Sequence, residues 1–378
     1  MSKKPAILLI SASLLIGAGA AYRHQQGQPT QSVDAASPVK NRHTIQTEVK
    51  VLTGSAKAPL FEHPDMVKIF EANGLRVSVQ KTKATADDIA HLQSASQIPD
   101  LIWPAGAAAA TQFTSQVPAL RTATAVPLLY TELTIATWKS VAVTLLNANL
   151  AFVDKDEKTE HLVLNLERFL AMSGKKWSDL PQDPAYKENT HAAHRGLYGT
   201  QTFTQPKSIF VATPSMASNT SLLYYGLLAA SLNNQEQVKD AQTIATLAQP
   251  LREMAQKQGF VEDTLAGPFE DYIHVGKSKT PMVLVYDNQF NTAQRAGLPA
   301  DAILMRMTPT LVIKHSAIAT SPKGKKIVEL LQSPEVRDIL TRKLGYALTP
   351  QVSPRQIVLD EPSVAVQTAL REELLKND

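Results

Sequence analysis

Thr213-Pro214-Ser215-Met216-Ala217-Ser218-Asn219-Thr220-Ser221 packs small hydroxyl side chains into one short stretch directly before an apolar run, Leu222 to Leu232. If that run is a helix, its first-turn N–H groups have no intrahelical partner, and the Ser and Thr side chains add O–H donors beside them. The positive end of the helix dipole also favours negative charge. Ser215, Ser218, Asn219 and Thr220 are therefore candidate contacts for an anion or a small polar ligand. The competing reading is structural, with Ser218, Asn219 or Thr220 serving as an ordinary N-cap.

Two further loops share this character. Thr47 to Thr53 alternates as a strand should and stops at Gly54-Ser55, where Gly permits close backbone approach and Ser offers a hydroxyl. Asp100-Leu101-Ile102-Trp103-Pro104 is a second strand end, with Trp103 either lining a cleft or packed in a core. Tyr286 closes the buried-strand run Pro281 to Tyr286 and is either a ligand contact or hinge packing. Few basic residues flank these loops, Lys57 being the exception, so the chemistry points to a small anion or another small polar solute.

Other patterns are weaker. His191 and His194 stand three apart, on one face if that segment is helical, but no carboxylate or third His lies nearby in sequence. A solvated surface is the better reading, and no metal is expected. His315, Tyr224-Tyr225 and Met305-Arg306-Met307 read as structural, and the charge run Asp154 to Lys158 as a solvated loop. The chain has no nucleophile elbow, phosphate-binding Gly-Lys loop, HExxH or dinucleotide fingerprint. The expectation is a non-enzyme without cofactors, with a hydrolase not excluded.

Composition bounds the rest. With 378 residues, 44% apolar and 19% charged, the chain is globular and long enough for two domains. There is no Cys, hence no disulfide, thiolate metal site or lipid anchor through Cys. The formal charge of +4 contains no long basic run, so nucleic acid is not an expected partner. Lys3-Lys4 followed by the apolar stretch Ala6 to Ala21, with Ala18-Gly19-Ala20 as a cleavage pattern, reads as an export signal over residues 1–21; an uncleaved membrane anchor is the alternative. Residues 22–43, rich in Gln, Ser and Pro, read as a flexible linker.

The body begins near Thr44. Strand, helix, strand, helix, strand over residues 47–104 predicts right-handed parallel crossover units, with ligands at the carboxyl ends of the strands. Further along, the sequence predicts helices over 138–150 and 166–172, a strand at Ser208 to Ala212, a long helix near 235–258, strands near 281–286, 303–307 and 310–313, helices over 324–331 and 334–344, and a terminal amphipathic helix over 363–376.

In its pattern, over roughly Val49 to Pro350, the chain resembles the type II periplasmic solute-binding proteins of ABC importers. Four features carry the likeness: Thr53-Gly54-Ser55-Ala56-Lys57, Pro99 to Pro104, Thr213-Pro214-Ser215 with Ser218-Asn219-Thr220-Ser221, and the closing run Ile327 to Ala347 with Lys343-Leu344-Gly345-Tyr346. It departs from that pattern at Ser221, where Gly is common, and in the Ala-rich Ala105 to Ala110 after a strand end. The resemblance implies an α/β fold of two discontinuous lobes joined by two crossover strands, near Thr134 to Ala136 and near Val283 to Val285. Lobe one would be 44–135 plus 285–350, lobe two 136–284, and 351–378 a C-terminal extension. The implied function is an exported, periplasmic or extracellular receptor that captures a solute between the lobes and delivers it to an ABC permease. The alternative is a membrane-tethered envelope protein of the same fold that binds a protein partner.

Overall fold

Apolar alternation with clean stops builds the first part of the sheet. In the computed structural model, which describes residues 46–376 apart from 55–56, 83, 85, 157–158, 183–197, 260 and 263–264, β1 is Thr47–Thr53, β2 Leu75–Lys81 and β3 Leu101–Trp103. Between them lie α1 (Ala58–Glu62), α2 (Pro64–Ala72) and α3 (Ala86–Ser94). β1 pairs in parallel with both β2 and β3, with Thr53 opposite Trp103, so the ends of β1 and β3 open at one place. The Ala-rich run after β3 is α4, Ala107–Gln116.

β4 is Ala125–Trp138, fourteen residues long. α5 (Lys139–Asn147) leads to the hairpin of β5 (Ala151–Lys155) and β6 (Glu160–Asn165), followed by α6 (Leu166–Leu170). This corrects the reading of Asp154 and Lys155 as loop; Asp156 follows the strand, and residues 157–158 lie outside the described residues. Asp154 is buried within β5, where its carboxylate accepts from the Arg355 N–H at 2.7 Å, so a charged residue serves the fold there. Ser208 to Ala212 forms no strand of its own; it is bridged at Ser208 to Lys176 and at Ala212 to Val283. α7 (Asn219–Leu232), α8 (Ala241–Gln256) and α9 (Ala266–His274) precede β7 (Val283–Tyr286). α8 starts later than the sequence pattern implies because the Asp240 side chain caps it, accepting from Thr243 N–H at 2.8 Å.

α10 (Asp287–Ala296), β8 (Ala302–Thr308), β9 (Thr310–Ala319), α11 (Pro322–Leu331) and α12 (Pro334–Asp338) follow, and the last continues into a wider helical turn, Ile339–Lys343, before Gly345, whose φ of 72° suits glycine. β10 (Val358–Leu359) and α13 (Val364–Leu375) end the fold. Among the described residues, ten strands join in one mixed sheet, ordered β2-β1-β3-β9-β4-β8-β6-β5, with β10 beside β9 and β7 beside β4.

The buried apolar residues fall into separate groups. Two smaller ones are drawn from residues 49–129 and 317–346. The larger holds Leu133 to Ile313 together with Val366, Ala369, Leu370 and Leu374 of α13. β4 and the β8–β9 ribbon, antiparallel to one another, straddle the divide. β7 packs wholly in the larger group. No helix among the described residues is long and apolar enough to cross a membrane, and residues 1–43, read as signal and linker, lie outside them.

Candidate functional site

The carboxyl ends of β1 and β3 meet at Gly54 and Ala105. Gly54 is buried, its N–H donating to the Trp103 carbonyl at 3.3 Å, and a Cβ on it would stand 3.5 Å from the Cβ of Ala105. Ser55 lies outside the described residues, as do His191 and His194. Trp103 is fully buried, its ring edge-on to Phe61 at 6.0 Å between centroids, so it forms the floor beneath the strand ends and not their surface. Lys57 comes next in the chain. Its ammonium donates to the Pro104 carbonyl at 2.9 Å and lies 3.2 Å from His315 Nδ1, while His315 Nε2 is 2.8 Å from the Thr131 hydroxyl. Burial lowers the Lys57 pKa to about 7 against an opposing pull from Glu361, and burial, helped by Lys57, keeps His315 neutral.

The first N–H groups of α4 face this cluster. They are not open: the Glu361 carboxylate, from 254 residues further along the chain, accepts from Ala107 N–H at 3.0 Å and Ala108 N–H at 3.3 Å. Burial raises the Glu361 pKa, and these donors and Lys57 work against that rise. Gly106 makes the seat possible, since a Cβ there would stand 2.4 Å from Glu361 Oε2.

The hydroxyl loop forms the facing wall. Ser218 is the N-cap residue of α7, yet its side chain makes no capping bond and stays half-buried, as does Asn219. Ser215 and Ser221 are used by the loop itself: Ala217 N–H donates to Ser215 Oγ at 3.2 Å, and Ser221 donates to the Pro214 carbonyl at 2.6 Å. Thr220 and Tyr286, distant in sequence, are joined by a 3.1 Å hydroxyl contact. Burial, with the nearby Glu361 charge adding to it, pushes the Tyr286 phenol up to about 12. Pro362 lies against Gly226 of α7, so the Glu361-Pro362 step spans from the α4 seat to α7.

The structure thus brings Thr220 and Tyr286 together, with Ser218 and Asn219 at the same helix start, while Gly54 meets Ala105. Sequence reasoning singled out Lys57 only in passing and missed Glu361. The Ala-rich start of α4 was its one visible signal, because small residues after a strand end let another group come close.

A second concavity lies on the other face of β4. Thr131 and Glu132 are neighbours on a strand and point oppositely. Glu132 is buried in an ion pair with Arg306 at 2.8 Å and accepts from Gln356 Nε2 at 2.7 Å. Burial outweighs the Arg306 charge and raises its pKa to about 7. Asp287, Tyr346 and His161 line the same cavity of about 770 Å³. Among the described residues no group of His, Asp and Glu is arranged to hold a metal ion.

No family model matches the chain, and no curated protein does. Solved structures do. A protein of Listeria monocytogenes, described as a spermidine/putrescine ABC transporter, superposes with a TM-score of 0.50 at 11% identity, covering 87% of this chain and 98% of its own. The chain has the type II solute-binding-protein fold. An ABC transporter structure from Clostridium perfringens, with a TM-score of 0.47 at 9% identity over 86% and 97% of the two chains, is looser. So is the ferric binding protein of Campylobacter jejuni, at 0.46 and 11% identity over 86% and 96%.

Proposed function

We propose that this chain is an exported solute-binding receptor whose cleft captures a small anionic solute, with a carboxylate as the favoured class, for delivery to an ABC-type permease. The observation that supports the class is the chain's own: a carboxylate already sits on the Ala107 and Ala108 N–H groups. Neutral helix N–H donors, a single lysine and the Thr220–Tyr286 hydroxyls suit an anion of low charge. The fold supports the receptor role, and the signal-like start of the chain supports export.

The test is thermal unfolding of the full chain against acetate, succinate, citrate, phosphate, sulfate, amino acids and polyamines. A ligand at a hundredfold excess over Kd stabilises by about 2.7 kcal/mol. An organic anion should raise Tm, and Ser218→Ala and Thr220→Val should reduce the rise. No shift from any anion refutes the reading.

A partner-binding role is the second reading. The C-terminal segment that fills the cleft also exposes Val352, Ile357, Val358 and Val364. Capture of a protein partner lost on Ile357→Ser with Val358→Ser, together with a silent solute panel, would favour it.

A further inference from the structure

We propose that the C-terminal segment is a tethered ligand of the chain's own cleft: Glu361 fills the anion seat at Ala107 and Ala108, and an external carboxylate binds by displacing it. The inference rests on the receptor reading above and adds its regulation.

The segment is fixed at both ends. Val358 and Leu359 pair with Thr310 and Leu311 of β9, and Val366 and Leu370 of α13 are buried in the larger core. Asp360, Glu361 and Pro362 link β10 to Ser363, the residue that caps α13 through a 3.3 Å bond from Val366 N–H, and Pro362 is itself packed against Gly226. This short span delivers the carboxylate to the two backbone N–H donors of Ala107 and Ala108, beside Lys57. Glu361 does not merely cover the seat; it satisfies it as a bound anion would. Gly106 is the complementary feature, because any side chain there would fill the space the carboxylate occupies.

Tethering a ligand this closely gives it an effective concentration of millimolar or more. A solute must exceed that competition, so its apparent affinity is reduced by the fraction of time the seat is filled. Displacement needs rotation only of Asp360 and Glu361, leaving Pro362 against Gly226 and both anchors in place. The segment then becomes the element whose exposure reports that solute has arrived.

The experiment follows hydrogen exchange of the full chain in peptides covering 105–112 and 357–363, with acetate as the probe. Glu361→Ala should speed exchange in 105–112 about tenfold or more, the scale of losing charge-assisted bonds. Acetate should slow it again in the variant, and at the same concentration leave the native chain unchanged. Gly106→Ala, which leaves Glu361 intact and displaces it sterically, should speed exchange in 357–363; it serves equally if Glu361→Ala does not fold.

Acetate that protects nothing in Glu361→Ala, or a strap whose exchange is unmoved by Gly106→Ala, overturns the proposal. The receptor reading is judged separately by the solute panel. A solute that stabilises the native chain without speeding exchange in 357–363 overturns the tethered ligand and leaves the receptor standing. Rescue by acetate with no solute binding the native chain supports the tethered carboxylate and removes the receptor.

Discussion

Lys57→Met should become progressively more stable than the native chain as the pH falls from 10 to 6. Lys57 is 1% exposed, with its ammonium held by the Pro104 carbonyl and His315. Burial is the largest influence on it, and the Glu361 charge opposes that influence without cancelling it, so the pKa falls from 10.5 to about 7. In the unfolded chain the lysine keeps its proton up to its ordinary pKa, whereas in the folded chain it gives the proton up above about 7. Between those values the unfolded state binds more protons, so native stability rises with pH across the window. Below pH 7 the folded protein carries the buried charge and bears its full cost. At 1.36 kcal/mol per pH unit the whole window corresponds to about 5 kcal/mol. Methionine matches the lysine stem in shape and carries no charge; the lost bond to Pro104 adds a penalty that does not vary with pH. Urea midpoints measured for both proteins at pH 6, 7, 8, 9 and 10, at constant ionic strength, give the difference directly. A difference flat to within about 1 kcal/mol would refute the reasoning, because Lys57 would then titrate as a solvated side chain.

The other side of β4 predicts the opposite slope. Glu132 has a pKa raised from 4.5 to about 7, mainly by burial, so its contribution to stability is greatest below pH 4.5 and is lost as the pH rises through 7. The stability of Glu132→Gln relative to native should shift in its favour by about 3 kcal/mol between pH 4.5 and 7, read from urea unfolding. Gly324→Ala places a Cβ 1.8 Å from the Asp100 carbonyl oxygen at the start of α11, and should lower stability by about 1–3 kcal/mol in the same assay. Leu370→Ala removes a fully buried side chain of α13 and should cost about 2–5 kcal/mol; a loss below 1 kcal/mol would show that α13 is an appendage.

How much of this was legible follows the range of the interactions. β1, β2, β3 and the helices between them are set by local alternation and by stops such as Asn73-Gly74, so residues 47–104 read correctly. The β5–β6 hairpin was hidden because Asp154 looks like a solvated charge until Arg355, about two hundred residues away, is known to donate to it. Ser208 to Ala212 has the composition of a strand, yet it finds partners only at its two ends. The hydroxyl loop announced a helix start facing polar groups. That Thr220 meets Tyr286 depends on β7 lying beside β4, which no local pattern encodes. Glu361 was beyond reach for the same reason: a glutamate before a proline looks like any helix approach, and its meaning lies in α4.

The placement of α13 also bears on the order in which the protein can assemble. A chain is made from its N-terminus, and its parts fold as units while synthesis proceeds. The smaller cores have all their buried members by residue 346. The larger core does not, because Leu370 and Leu374 are among its last pieces. Until they arrive, the apolar sides of α7 and α8 have no cover there. Cutting the protein before residue 364 would therefore leave an open, apolar flank on α7 and α8.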